Sequence, residues 1–201
     1  MAFQKNIAII ILAAGASSRM GQTKQLLPWK DTTLLGNAIR TAKASDASSV
    51  VVVLGANAES IRKEISDNQI AIVENLVWDL GLGSSIACGT DFLIKKKNKP
   101  NGIFIMLADQ PLIDTAYLNA MMVAFNPEQD VIIATAYENG AGVPALFSEN
   151  YYRKLTKLDD DSGAKDLIQS QKENVVVLDL EQKTVDIDTK TDYDNLTRKL
   201  K

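Results

Sequence analysis

Short apolar runs rich in β-branched residues recur along this chain and alternate with stretches of helical spacing. The runs are Ile7 to Leu12, Val50 to Leu54, Ala71 to Val73, Ile103 to Leu107, Val131 to Ala134 and Val175 to Leu178. The helical stretches are Leu34 to Lys43, Ala58 to Ser66, Ser84 to Lys96, Thr115 to Phe125 and Gly163 to Ser170. This alternation predicts βαβ units, and therefore an α/β, three-layer αβα fold with a mainly parallel, doubly wound, Rossmann-like sheet.

The chain has the length of one domain, and we expect residues 1–201 to form a single one. Two segments interrupt the alternation. Ala136 to Phe147 contains glycines and a proline and predicts a hairpin, whereas Lys157 to Ser162 carries three consecutive aspartates. Thr189 and Asp192 have the spacing of a capping box, which predicts a last helix running to the C-terminus.

The charge balance argues against two classes of partner. Twenty-two basic and 25 acidic residues give a formal net charge of -3, which is not the basic surface that nucleic acids or anionic membranes attract. The apolar run Ile7 to Ala14 stops at Gly15 and is too short to span a bilayer. We therefore expect no nucleic-acid partner and no membrane association.

Two residue types limit the available chemistry. The single cysteine, Cys88, excludes an intramolecular disulfide, and with no recognisable signal peptide the expected compartment is the cytoplasm. The chain contains no histidine, so Ser-His and Cys-His nucleophilic pairs are excluded. The chemistry must use carboxylates, cations, backbone dipoles or a metal ion.

The segment that follows the first strand has the composition of a phosphate-binding loop. Leu12 to Lys24 consists largely of small residues and contains two glycines, together with Arg19 and Lys24. Small residues let backbone N–H groups approach phosphate oxygens, and the two cations balance their charge. The segment matches neither a Walker A loop nor a G-x-G-x-x-G fingerprint. The alternative is an ordinary turn with a surface arginine and lysine.

Asp109 follows the fourth strand, within Leu107 to Pro111. Ligands of open α/β sheets bind beyond the carboxyl ends of the strands, so this carboxylate can reach a metal ion on nucleotide phosphates. An aspartate that opens a turn before proline is the alternative.

A longer match is carried by Leu12 through Pro28, which fits L-A-A-G-x-S-x-R-M-G-x-x-K-x-L-L-P without a gap. It resembles the molybdenum cofactor cytidylyltransferases, a MocA-like family within the MobA-like NTP transferase superfamily. The resemblance implies a sheet of the nucleotide-diphospho-sugar transferase type. It also implies that Arg19 and Lys24 hold the triphosphate during catalysis and that the loop backbone binds the nucleotide at Leu12, Ala13, Ala14 and Gly15.

The same resemblance implies a magnesium site. An L-x-D-x-P element of this kind carries the principal Mg²⁺ ligand, here Asp109, which is also expected to act in catalysis. A D-I-D-T element supplies the second carboxylate, here Asp188. Asp186 lies on the same face of an extended segment and is the less favoured choice.

A further matching stretch, Asn75 to Ile86, is similar to a family element whose glycine and serine contact the base. Gly81 and Ser85 take that role by resemblance. A helix N-cap at Ser84 or Ser85 is the alternative interpretation.

Two weaker matches concern the acceptor. Asp160 to Lys165 resembles a G-D-x-G-A-R element, which implies a role for Asp161, although a solvated acidic loop is an equal alternative. Relatives carry G-H-P where this chain reads Gly142-Val143-Pro144. Gly142 is therefore an acceptor-binding candidate, while Val143 in place of histidine is a departure from the family pattern on the acceptor side.

Taken together, the resemblance implies that CMP moves from CTP to the phosphate of molybdopterin, with release of pyrophosphate and with a molybdoenzyme as possible recipient of the product. The alternatives are a GTP-dependent guanylyltransferase, a sugar- or polyol-phosphate nucleotidyltransferase, and a nucleotide-binding cofactor chaperone. The guanylyl branch usually reads L-A-G-G, so Ala14 favours the cytidylyl branch.

Overall fold

The computed structural model describes residues 5–65, 69–179 and 185–199. Its strands are β1 (Ile7–Ala13), β2 (Pro28–Trp29), β3 (Thr32–Thr33), β4 (Ser49–Leu54), β5 (Ala71–Glu74), β6 (Gly102–Leu107), β7 (Ile132–Tyr137), β8 (Gly140–Ser148) and β9 (Val175–Leu178). Within the described residues, seven strands form one sheet in the order β5-β4-β1-β6-β8-β7-β9, and β2 pairs with β3. Only β8 runs antiparallel to its neighbours, so the predicted mainly parallel sheet is confirmed.

The helices are α1 (Leu34–Lys43), α2 (Ala58–Glu64), α3 (Leu82–Ile94), α4 (Thr115–Ala124), α5 (Tyr152–Leu155), α6 (Lys165–Ser170) and α7 (Lys190–Lys199). The predicted ends of two helices, at Ser66 and at residues 200–201, lie outside the described residues. None of the helices in the described part of the chain has the length and apolar character needed to cross a bilayer.

The side chains of β1 alternate between two apolar layers, as successive residues of a strand must. Ile7, Ile9 and Ile11 pack in the layer that contains α1, α2 and α4. Ala8, Ile10 and Leu12 pack in the layer that contains α3, α5 and α6. Because both faces of the strand are covered, its sequence is apolar throughout. The predicted three-layer αβα architecture is confirmed.

The predicted hairpin is the β7–β8 pair, and it explains why β8 reverses direction. Its turn contains Gly140, whose φ of +128° is a conformation that L side chains rarely adopt. The pairing register shifts between Ala134 and Thr135, an irregularity that precedes the turn. The hairpin therefore extends past Ile105, the last β6 residue that pairs with β8, toward the carboxyl end of β6.

A third apolar cluster attaches the C-terminal segment to the sheet edge. Trp29 and Leu34 pack with Ile187 and Leu196, so that α7 rests against the β2–β3 hairpin. The backbone N–H of Ile187 also donates to the carbonyl of Asp109, at 3.1 Å. This packing brings the segment around Asp188 to the carboxyl ends of β1 and β6.

The predicted capping box of the last helix is confirmed. The N–H of Thr189 donates to Oδ2 of Asp192 at 2.8 Å, and the N–H of Asp192 donates to Oγ1 of Thr189 at 3.2 Å. These reciprocal bonds satisfy donors that the first turn of a helix leaves without partners. They start α7 at Lys190, two residues after Asp188.

Candidate functional site

A cleft of about 460 Å³ lies at the carboxyl ends of β1 and β6. Most of the site residues selected from the sequence line it, namely Leu12, Ala13, Ala14, Gly15, Arg19, Lys24, Gly81, Ser85, Asp109, Asp161 and Asp188. Gly142 and Asp186 are not among the lining residues. The tertiary structure thus brings together residues from five separate segments of the chain.

A buried glutamine holds the loop after β1 in shape. Gln25 is 4% exposed, and its Nε2 donates to the carbonyls of Ala13 and Gly15, at 3.0 and 2.9 Å. Ser17 donates to Oε1 of Gln25 and accepts from the N–H of Lys24. The loop is therefore tied to itself without a ligand. Sequence reasoning missed Gln25, because it occupies a position that the matched pattern leaves free.

Lys24 joins two carboxylates that are distant in the sequence. Its Nζ lies 2.6 Å from Oδ2 of Asp109 and 3.2 Å from Oδ1 of Asp188. Burial lowers the pKa of Lys24, but the two carboxylates outweigh that effect and the net pKa is raised. Lys24 is therefore charged at neutral pH. Arg19 lies farther out, with Nη2 3.8 Å from Oδ2 of Asp188, and is largely exposed.

The two carboxylates have the arrangement of a cation site. Both Asp109 and Asp188 converge on the position that the Lys24 ammonium occupies. Oδ1 of Asp109 is buried and has no hydrogen-bond partner among the described residues, so it retains an unused acceptor. In the described part of the chain no group of three histidine, cysteine or acidic ligands is present. A metal ion bound here would take its remaining ligands from water and substrate oxygens, as Mg²⁺ commonly does.

A second polar network lies behind these carboxylates. Gln110 is 3% exposed, and its Nε2 donates to Oδ1 of Asp186 at 2.8 Å and to the Tyr137 hydroxyl at 2.9 Å. The Tyr137 hydroxyl donates in turn to the carbonyl of Val143. Burial, followed by the charges of Asp109 and Asp188, raises the pKa of the Asp186 carboxyl. Asp186 is thus engaged by Gln110, which favours Asp188 as the carboxylate that faces the cleft.

The hairpin residue Gly142 lies outside the cleft. It pairs with Thr135 across the β7–β8 ladder, and a Cβ at this position would lie 3.2 Å from the Tyr137 ring. Within the described residues, the hairpin is connected to the site through the hydrogen bond between Gln110 and the Tyr137 hydroxyl. The assignment of Gly142 to acceptor binding stays a prediction.

The N-terminal end of α3 forms the opposite wall of the cleft. Gly81 is the N-cap residue, with a φ of +108°, and it has no side chain with which to cap the helix. The interpretation of Ser84 or Ser85 as the N-cap is therefore wrong, because both lie inside the first turns. Asn75 donates to both hydroxyls, at 2.8 and 3.1 Å.

The acidic loop packs against this wall. The carbonyl of Asp160 accepts from the N–H of Gly83 at 2.7 Å, and a Cβ on Gly81 would lie 2.4 Å from Oδ1 of Asp161. Glycine is thus required at position 81 both by its φ and by the close approach of this loop. The loop is part of the cleft and not only a solvated surface, although Asp161 itself is exposed.

The charge that lines the cleft is negative. Two cations, Arg19 and Lys24, face four carboxylates, so the formal balance is 2 minus 4, or -2. Asp79 is the only one of these carboxylates that sequence reasoning did not select. It follows Trp78 in an exposed turn, and a surface aspartate beside an aromatic residue gives no distinct sequence signal. A polyphosphate can enter this cleft favourably only with additional cations.

Comparison with known proteins identifies the fold family. The profile of the MobA-like NTP transferase domain matches residues 9–175. The purine catabolism protein PucB of Bacillus subtilis is 31% identical over 203 residues, covering 94% of this chain and 95% of PucB. Nicotine blue oxidoreductase of Paenarthrobacter nicotinovorans is 34% identical over 131 residues, which are 65% of this chain but only 61% of that protein.

A solved structure supports the same assignment. Rv0371c of Mycobacterium tuberculosis is 29% identical and superimposes with a TM-score of 0.83, covering 96% of this chain and 98% of its own. The profile match spans most of the sequence, including β1, β6 and the loop between β1 and α1. The chain therefore belongs to the MobA-like NTP transferase family.

Proposed function

We propose that this protein is a metal-dependent nucleotidyltransferase that moves CMP from CTP to the phosphate of molybdopterin and releases pyrophosphate. The observation that carries the proposal is the convergence of Asp109 and Asp188 on Lys24, at the end of a preformed loop of small residues. Such a site can bind a triphosphate and its counterion together. Asp109 and Asp188 would hold the metal ion, which we expect to be Mg²⁺.

The absence of histidine agrees with this reaction. A phosphate monoester has a second pKa of about 6, so the attacking oxygen is largely deprotonated at neutral pH and needs no protein base. The protein must instead orient the reactants and balance charge. Arg19 and Lys24 supply cations, and the backbone from Leu12 to Gly15 supplies N–H donors to the nucleotide. When bound, Mg²⁺ neutralises charge on the phosphates and on the departing pyrophosphate.

Lys24 has two alternative sets of partners in this mechanism. Without substrate, its ammonium neutralises Asp109 and Asp188, which would otherwise repel each other in a partly buried site. Asp109 and Asp188 would hold the metal ion, which would neutralise them in place of the ammonium, and Lys24 would then be available to the phosphates.

A divalent metal is supported by a relative. Rv0371c, 29% identical with a TM-score of 0.78 in this second structure, has been solved in complex with manganese. The unused Oδ1 of Asp109 is the feature of the present chain that fits such an ion. We propose Mg²⁺ as the metal ion at Asp109 and Asp188, and Mn²⁺ as the ion with which to measure binding at this site.

The choice of CTP and molybdopterin rests on the L-A-A-G sequence and on the molybdenum cofactor resemblance. Ala14 lines the cleft, where its methyl group leaves less room than the glycine of the guanylyl branch. PucB, described as a purine catabolism protein, aligns over nearly the whole chain. We propose a molybdoenzyme as recipient of the product. Val143 stands where relatives carry histidine and offers the acceptor no polar side chain, and its carbonyl accepts from the Tyr137 hydroxyl.

The test is pyrophosphate release by the purified protein with Mg²⁺ and molybdenum cofactor, with CTP, GTP and ATP compared in parallel. Release with CTP alone is the expected result, and release with GTP alone would assign the guanylyl reaction instead. Sugar and polyol phosphates serve as alternative acceptors. Nucleotide binding without pyrophosphate release for any acceptor would contradict the proposal and would favour a cofactor chaperone, or a redox activity such as the name of nicotine blue oxidoreductase indicates.

A further inference from the structure

The Asn75 side chain has a single possible orientation. It is 3% exposed, and its Oδ1 accepts from the N–H of Val77 at 3.1 Å. Because Oδ1 is assigned by that backbone donor, the amide nitrogen must face the two serines. It donates one hydrogen to Oγ of Ser84 at 2.8 Å and the other to Oγ of Ser85 at 3.1 Å. All hydrogen-bond donors of the Asn75 amide are therefore used.

The two serines differ in whether their hydroxyl protons have an acceptor. Ser84 donates its own proton within the loop, where the carbonyls of Gly81 and Val77 lie at 2.8 and 3.1 Å. Ser85 also accepts from Asn75, but its hydroxyl proton has no acceptor among the described residues. Ser85 is 2% exposed and lines the cleft. An unused donor on a buried hydroxyl is costly, so it indicates a hydrogen bond that a ligand completes.

The surroundings of Ser85 indicate which part of a nucleotide it meets. The cleft cations, Arg19 and Lys24, lie on the loop after β1, whereas the α3 side carries Asp79 and Asp161. The N–H of Gly83, which could otherwise bind an anion at this helix end, already donates to Asp160. Phosphates are therefore disfavoured near Ser85, and a neutral group is favoured.

We infer that Asn75 is a specificity-determining residue that fixes Ser85 as a hydrogen-bond donor, so that the nucleobase must present an acceptor atom to Ser85. The inference rests on the proposed nucleotide site. It adds which partner donates the hydrogen bond in one contact with the base, namely Ser85. Asn75 is a positioning residue in this scheme because it acts through Ser85. Nucleotides that place a donor at the same point leave two hydrogens facing each other and bind less tightly.

The substitution Asn75→Asp tests this polarity with almost no change in shape. An aspartate at position 75 can still accept from the N–H of Val77, but it has no hydrogen to give to Ser85. Ser85 would then donate to position 75 and present its lone pairs to the cleft. We expect the affinity for the preferred nucleotide to fall by about tenfold relative to the affinities for the other three.

The measurement is calorimetric binding of CTP, UTP, GTP, ATP and tripolyphosphate with Mn²⁺, without any acceptor. The proteins are the wild type, Asn75→Asp, Ser85→Ala, the double variant, and Ser84→Ala as matched control. We expect Ser85→Ala to reduce discrimination among the bases. In the double variant, Asn75→Asp should cause no further loss of discrimination beyond that of Ser85→Ala. The affinity for tripolyphosphate should be unchanged in these variants, and Ser84→Ala should bind the nucleotides as the wild type does. Circular dichroism and Tm verify folding, and Ser85→Ala provides an independent test if Asn75→Asp does not fold.

Three results would overturn the inference. They are an equal loss for all four nucleotides, a parallel loss for tripolyphosphate, and an effect of Ser84→Ala as large as that of Ser85→Ala. Each would mean that Asn75 only supports the loop. Because binding is measured without acceptor, a wild type that discriminates among bases but releases no pyrophosphate would contradict the proposed function and leave this inference supported.

Discussion

At the residue scale, Lys24 is the side chain whose surroundings are most specific. It is largely buried, it contacts two carboxylates from separate segments, and its pKa is raised despite a burial effect of opposite sign. An exposed ion pair would have contributed little, whereas a partly buried bridge with good geometry maintains the relative position of its partners. Its neighbour Gln25 holds the adjacent loop closed.

We predict that Lys24→Ala lowers turnover by about a hundredfold or more, because a positioned cation at the phosphates is lost. The matched control is Lys63→Ala, which removes an exposed lysine that pairs with Glu59 outside the cleft. Steady-state pyrophosphate release gives the turnover, and thermal unfolding gives the stability. The variant should remain folded, with a small change in Tm beside the large loss of turnover. An unchanged turnover would show that Lys24 has no catalytic role.

A second prediction at this scale separates Asp186 from Asp188. Burial and neighbouring carboxylates raise the pKa of Asp186, so its ionised form is disfavoured in the folded state. The resulting loss of stability is absent below the unfolded pKa of about 3.9, develops as the pH rises above it, and is complete above the raised folded pKa. Asp186→Asn should therefore raise the free energy of unfolding at pH 7 and leave it nearly unchanged at the acid end.

Urea unfolding between pH 4 and 7 measures this difference, and calorimetric titration with Mn²⁺ accompanies it. Asp188→Asn should weaken Mn²⁺ binding by about tenfold or more, while Asp186→Asn should have the smaller effect. The reverse order would make Asp186 the metal ligand and would reject the choice made from the D-I-D-T pattern.

At the scale of elements, the site depends on how three segments end. The β1 strand ends in a loop that Gln25 ties together, β6 ends two residues before Asp109, and α7 begins two residues after Asp188, with the Thr189 and Asp192 capping box. Parallel pairing of β1 with β6 places the first two ends side by side. The capped start of α7 fixes the third.

We predict that Gln25→Met weakens both the fold and nucleotide binding. Methionine has a similar volume but cannot donate to the carbonyls of Ala13 and Gly15, which would lose their partners in a partly buried loop. The expected cost is about 1–3 kcal/mol in the free energy of unfolding. The matched control is Gln22→Met, since Gln22 is exposed in the same loop. Similar urea midpoints for the two variants would contradict this account of the loop.

At the scale of the whole molecule, the candidate metal site joins the middle of the chain to its end. Asp109 follows a central strand, whereas Asp188 belongs to the C-terminal segment that packs on the β2–β3 hairpin. A ligand that binds both residues should therefore stabilise the attachment of α7 to the sheet, because it binds only the folded state.

We predict that Mn²⁺ at about one hundred times its Kd raises the free energy of unfolding by about 2.7 kcal/mol. The increase should be lost in Asp109→Asn and retained in Asp46→Asn, an exposed aspartate outside the cleft. Thermal unfolding with and without EDTA measures it. Equal stabilisation of Asp109→Asn would place the metal ion elsewhere.

The sequence by itself determined the layer architecture, the positions of the main helices and strands, and most of the residues around the cleft. These features depend on local patterns, namely the spacing of apolar residues, the capping box and a continuous run of residues after β1. Helix ends were less accurate. The α3 helix begins at Leu82 and not at Ser84, and its N-cap is Gly81, whose positive φ the spacing of apolar residues does not reveal.

Only the tertiary structure decided which polar groups are partners. The bridge from Lys24 to Asp109 and Asp188, the engagement of Asp186 by Gln110, and the orientation of Asn75 toward Ser85 all join residues from different segments. A hydrogen bond depends on distances of a few ångströms and on which lone pairs remain unused, and neither is encoded in local spacing. The sequence could therefore predict which side chains meet at the sheet edge, but their hydrogen-bond partners follow from the packing of the whole chain.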